Sequence, residues 1–170
     1  FSLSPDKKYL LQKQLQQPFS YLVTANGFPS KMLVTDLTGK IVKVLAELPS
    51  TEGTPSGYDN TQNVPRSFDW RDDEAATITW AEPLDSGLIK KQAEYRDAIY
   101  AISAPFDGSA KLLFKTKLRY GGTTWGNENI ALVNEISRSK QLIRVNLFNS
   151  SKGSMELLFE RNQTDAYGIT

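Results

Sequence analysis

An all-β fold, a partial β-propeller of about three four-stranded antiparallel blades, is what this 170-residue sequence predicts, on three observations. A cycle of four strand-like segments recurs three times, at intervals of roughly 55 to 65 residues. The first strand of every cycle ends in a tight polar turn, and two cycles close on a Leu-Leu-Phe run. Helical patterning is thin: the one helix-permissive stretch, 10–17, stops at Pro18 and begins inside a strand of the repeat. A sandwich with evenly spaced strands is the competing architecture, but it does not call for turn type, strand order and closing strand to recur together.

The opening strands and their turns are Phe1-Ser2-Leu3-Ser4 before Pro5-Asp6-Lys7-Lys8, Ser67-Phe68-Asp69-Trp70 before Arg71-Asp72-Asp73, and Gly122-Thr123-Thr124-Trp125 before Gly126-Asn127-Glu128-Asn129. Ser4, Trp70 and Trp125 share one repeat position, and Asp6, Asp72 and Asn127 share another. Asp and Asn suit that place because their side chains bond backbone amides ahead of them and close the turn. Second strands follow at 9–11, 77–80 and 130–133, and third strands at 31–37, 97–102 and 142–147. The apolar–polar alternation around 99–102 and 143–147 is that of half-buried strands. Fourth strands lie at 41–48, 110–116 and 155–160. The links into them (38–40, 107–109 and 150–153) carry turn residues, two with Gly in a hairpin-like connection where positive φ costs little only for Gly. Blades are therefore expected at about 1–49, 64–117 and 119–162, with a tail at 163–170 leading to further chain. Residues 50–64 form a long inter-blade loop, and 82–96 a connection long enough to carry function.

Composition narrows the chemistry. Hydrophobic content of 39% with 23% charged residues is that of a globular protein, not of a disordered tail. Lys and Arg total 20 against 19 Asp and Glu with no basic run, which gives no footprint for nucleic acid. No apolar stretch approaches the roughly 18 residues of a membrane span. With no cysteine there is no disulfide, thiolate metal site or Cys nucleophile, and with no histidine the usual base of Ser-His-Asp and Cys-His-Asn hydrolases is missing. No cofactor or metal is expected. Phe1 already opens a strand-like stretch with no initiator Met or signal-like segment before it, so the chain is expected to be a cut piece of a larger protein.

Individual residues divide between packing and binding. Trp70, Trp80 and Trp125 offer a stacking surface, but a repeated position argues for rings that fill the space between blades. Arg66 and Arg119 stand shortly before Trp70 and Trp125, near the entry to innermost strands that would line a propeller channel. They are the candidate substrate-binding residues, able to meet an acidic side chain or a carboxylate. Structural ion pairs with Asp and Glu of neighbouring turns are the simpler alternative. The run Arg71-Asp72-Asp73-Glu74 lacks the spacing of an EF-hand and fits a solvated turn. Asn149-Ser150-Ser151 and Asn162-Gln163-Thr164 match the glycosylation triplet, a pattern too common to assign a role.

Several stretches go beyond a generic blade. These are Phe19-Ser20-Tyr21-Leu22-Val23, Phe28-Pro29-Ser30-Lys31, Pro65-Arg66-Ser67-Phe68-Asp69-Trp70-Arg71, Thr79-Trp80-Ala81-Glu82, Tyr95-Arg96-Asp97-Ala98, Ala104-Pro105-Phe106-Asp107-Gly108, Trp125-Gly126 and the acidic ending at 160–168. Together they resemble the propeller of prolyl oligopeptidase-family serine peptidases, nearest the glutamyl endopeptidase branch with its bacterial members. The resemblance covers nearly all of the chain. It implies a propeller that filters or orients peptide substrates above a C-terminal α/β-hydrolase domain, where Ser, Asp and His do the cutting. This chain has no Gly-x-Ser-x-Gly elbow and no His, so it is expected to be non-catalytic, the serine peptidase being the parent protein. It departs from the family with Asp85-Ser86-Gly87 where Asp-Gly-Gly is common, and with an ending that lacks Asp-Pro-Gly.

The expected partners are the missing hydrolase domain, the remaining blades, a peptide substrate, and a second copy through open blade faces. A periplasmic or secreted location follows from the resemblance alone. The alternative function is a stand-alone propeller-type binding or scaffold module without enzymatic activity. An enzyme working through paired carboxylates has no supporting spacing in the sequence.

Overall fold

The computed structural model describes residues 1–164; the end of the acidic tail, 165–170, lies outside the described residues. Among the described residues twelve strands form three four-stranded antiparallel sheets, the arrangement of a partial β-propeller. The first sheet holds β1 (Ser2–Leu3), β2 (Tyr9–Leu15), β3 (Ser30–Asp36) and β4 (Ile41–Leu48). The second holds β5 (Arg66–Trp70), β6 (Thr77–Pro83), β7 (Asp97–Ser103) and β8 (Lys111–Thr116). The third holds β9 (Arg119–Asn127), β10 (Ile130–Ser137), β11 (Leu142–Asn149) and β12 (Ser154–Asn162). Within each sheet the strands stand in sequence order, so every connection is a hairpin to the next neighbour. The helix-permissive stretch 10–17 is strand through Leu15, because Leu11 is needed opposite Val34 in the core.

The sheets stack face to face, and the alternation of side chains along each strand divides the core in two. On one face of the second sheet, Ile78, Trp80 and Ile102 pack with Leu11 and Val34 of the first. On the other face, Ala81, Ile99 and Phe114 pack with Ala131, Val133 and Phe148 of the third. This double covering is why Thr77 to Ala81 are all buried while β4 and β12 are largely exposed. Of the two tryptophans at the repeated position, Trp70 is buried and Trp125 only half-buried; Trp80, outside that position, is buried too.

Turn chemistry explains most of the hairpin geometry. Asp6 Oδ1 accepts from the Lys8 amide at 3.2 Å, and Asn127 Oδ1 accepts from the amides of Asn129 and Ile130 at 2.9 and 3.0 Å. Asp72 does not play this part: it is exposed, and its turn is held by Arg71, which bonds Asp73 and Glu74. The β3–β4 link takes its positive φ at Gly39 (87°), as expected. In the β7–β8 link that conformation falls on Phe106 (φ 67°) instead of Gly108. The left-handed backbone there seats the Phe106 ring in the core, 1% exposed and edge-on to Tyr9 at 5.2 Å.

Replacing Ile99, which is fully buried, by Ala is expected to lower the unfolding free energy by about 2–5 kcal/mol. Ile41→Ala on the exposed β4 should change it by no more than about 0.5 kcal/mol, with both read from denaturant titrations.

Candidate functional site

Arg66 opens β5, opposite Ala81, and Arg119 opens β9, opposite Ile136. They meet at Asp97, the first residue of β7. Asp97 Oδ2 accepts from Arg66, and Oδ1 accepts from Arg119 Nη1 at 3.3 Å. Asp97 Oδ2 also takes the Tyr120 amide at 2.7 Å. Arg119 grips Asp85 with both arms, Nη1 to Oδ1 at 2.9 Å and Nη2 to Oδ2 at 2.7 Å. Arg96 adds a third guanidinium, donating to Asp85 Oδ2 at 3.0 Å. Asp85 and Asp97 are both fully buried, so a low local dielectric surrounds two carboxylates whose charge these guanidiniums must neutralise.

A third carboxylate joins from the inter-blade loop. The Asp59 carbonyl accepts from Arg119 Nε at 2.6 Å, while its carboxylate takes the Arg138 amide at 2.7 Å, the Ser139 amide at 3.1 Å and the Ser137 hydroxyl at 2.9 Å. Burial pushes this carboxyl up, but the hydrogen bonds from Ser139, the Arg138 amide and Ser137 outweigh it and hold Asp59 below its ordinary value. The loop carrying Asp59 lies against the turn after β6: the Thr61 amide donates to the Gly87 carbonyl at 2.9 Å, and the Ile89 amide to Asn60 Oδ1 at 3.0 Å. A Cβ on Gly87 would stand 2.0 Å from the Thr61 carbonyl oxygen, so only glycine fits there. Its neighbour Ser86 also holds a positive φ, 57°.

The two candidate arginines differ in what remains of them. Arg119 is 8% exposed and every guanidinium nitrogen has a protein acceptor. Arg66 is half-buried, with one terminal nitrogen on Asp97 and the other, Nη1, without a protein partner. It lines a cavity of about 280 Å³ together with Asn60, Thr61, Tyr120 and Arg138. Asp59, Asp85, Arg96 and Asp97 went unassigned at the sequence level, although Arg96 and Asp97 lie in one of the motifs quoted above. Among the described residues no cluster of three or more His, Cys, Asp or Glu is placed to hold a metal, and no helix is long and apolar enough to cross a membrane.

The fold and this cluster define an all-β blade-repeat segment braced by buried charge. The chain is 34% identical over 168 residues to a protein of Oryza sativa subsp. japonica named probable glutamyl endopeptidase, chloroplastic. It is 36% identical over 168 residues to the protein of that name in Arabidopsis thaliana. These alignments cover 96% of this chain but only 18% and 17% of the relatives, so the chain spans less than a fifth of their length. No family model matches the chain, and no solved structure matches it significantly. The chain is thus related in sequence to one stretch of proteins named probable glutamyl endopeptidase.

Arg119→Ala would strand Asp85 and Asp97 with one guanidinium each, at an expected loss of about 3–5 kcal/mol in urea unfolding. Asp59 is held below its unfolded value, so its contribution is present above about pH 4 and is lost as pH falls through the folded value. The melting-temperature advantage of the native chain over Asp59→Asn should therefore shrink on acidification below about pH 4.

Proposed function

We propose that this chain is a non-catalytic propeller segment of a serine peptidase, which gates or orients peptide substrates for an α/β-hydrolase domain elsewhere in the full-length protein. The observation that carries this reading is the relation to glutamyl endopeptidases along 96% of a chain that contains no histidine. A segment covering less than a fifth of such a protein, without the usual general base, supplies shape and charge, not bond cleavage. Arg66 is the residue proposed to meet an acidic group of the substrate, because its Nη1 has no protein acceptor and its side chain lines a cavity. Arg119 is proposed to position Arg66 by fixing Asp97 between them.

The outermost sheets support a place among further blades. Ile41, Val42 and Val44 in the first sheet, and Ile130, Leu132 and Phe159 in the third, are each more than a third exposed. Neighbouring blades would cover such residues. Isolated from them, the chain is expected to self-associate or to melt at low temperature, and a robust monomer in sedimentation would count against this.

The direct test is peptidase activity of the full-length protein on Glu-containing peptides, with and without a serine-directed inhibitor. Inhibitable cleavage is expected, and Arg66→Ala should raise KM for those peptides about tenfold with kcat little changed. Unchanged cleavage by that variant would remove Arg66 from substrate recognition. A full-length protein that cuts nothing would leave the binding-module alternative.

A further inference from the structure

The two junctions between sheets are built from equivalent positions but are filled differently. On the face that the second sheet turns to the first, Trp80 pairs with Tyr100 across β6 and β7, and Phe68 extends the stack. Ring centroids are 5.9 Å apart for Phe68–Trp80 and 6.1 Å for Trp80–Tyr100, with both pairs nearly parallel. Register assigns Val133 and Asn146 to the same two places in the third sheet: each pair lies two residues beyond the Ile78–Ile102 or Ala131–Phe148 pair. A valine and an asparagine cannot span the gap that an indole and a phenol fill. Phe114 and Phe148, 4.6 Å apart, close the inner part of the second junction. Outside them lies an open cavity of about 680 Å³, the size of a small-molecule site.

Its lining has a definite chemical character. Leu112, Phe114, Phe148, Met155 and Leu157 supply apolar walls. Lys115, Lys117 and Arg144 face it against a single carboxylate, Glu135. Glu135 is 3% exposed, is already bonded by the Lys117 amide at 3.0 Å, and burial pushes its carboxyl up. Lys115 lies over the Tyr95 ring at 5.6 Å, and Arg144 bonds Glu160. Asn146 is 7% exposed, and its amide nitrogen has no protein acceptor. A buried donor without a partner is costly, and a ligand oxygen would relieve that cost.

We propose that the junction between the second and third sheets is a binding site for a small amphipathic carboxylate, its apolar body between Phe148 and Leu157 and its oxygens toward Asn146 and the cationic rim. The site is independent of Arg66 and of the proposed peptidase role. A fatty acyl chain and the free C-terminus of an apolar peptide share this chemistry, so the test uses one probe of each kind. Octanoate and N-acetyl-phenylalanine, each beside its primary amide, are titrated into the protein by calorimetry and heteronuclear NMR.

Saturable binding of at least one acid is expected, with its amide about tenfold weaker or more. Binding of octanoate alone points to an acyl ligand, and of N-acetyl-phenylalanine alone to a peptide terminus. Asn146→Leu, of similar size but without the donor, should weaken the acid about tenfold. Asn146→Tyr, which copies Tyr100 of the filled junction, should abolish binding. Should that variant not fold, Lys115→Gln with Lys117→Gln must narrow the gap between acid and amide. Absence of saturable binding for both acids, equal affinity for acids and amides, or full binding in folded Asn146→Tyr would overturn the proposal.

Discussion

The two-armed bond between Arg119 and Asp85 is the interaction around which the second and third sheets are organised. Asp85 is fully buried, and a carboxylate in such a place calls for a planar, fixed-charge partner that meets both its oxygens. Once Arg119 is committed to it, the remaining guanidinium hydrogens fall to Asp97 and the Asp59 carbonyl. Those contacts in turn fix the start of β7, the Arg66 side chain and the inter-blade loop. Among the described residues, Arg119 is the one bonded both to that loop and to the buried carboxylates Asp85 and Asp97.

Much of the fold was legible because its determinants are local. Each blade announces itself by a polar turn, an apolar alternation and a second turn, all within some 50 residues, and all twelve strands fall where those signals placed them. The failures were local competitions won by something unseen. Asp72 lost its turn to Arg71, which had two neighbouring carboxylates to bond. Gly108 was not needed because Phe106 took the left-handed conformation, and the ring it buries offsets the backbone strain.

The charge cluster was legible only in part. Arg66 and Arg119 stood out by their place in the repeat, but their partners come from residues 22 to 60 positions away along the chain. No period connects a loop aspartate at 59, a turn aspartate at 85 and a strand-start aspartate at 97. Such sets assemble only when the second and third sheets are already stacked. The same holds for the unequal junctions: Val133 and Asn146 look unremarkable until register sets them opposite Trp80 and Tyr100 as equivalents.

The Asp59 clasp has a consequence for how the chain comes apart. By covalent order, residues 50–64 link the first sheet to the second; by the bonds of Asp59 to Arg119, Ser137 and Ser139 they are tied to the third as well. The first sheet meets the second where Tyr9, Leu11 and Val34 pack on Phe106 and Ile78, while the loop that leaves it is tied through Asp59 to the third sheet, so a cut within that loop would not separate the blades at the place where the sequence divides them.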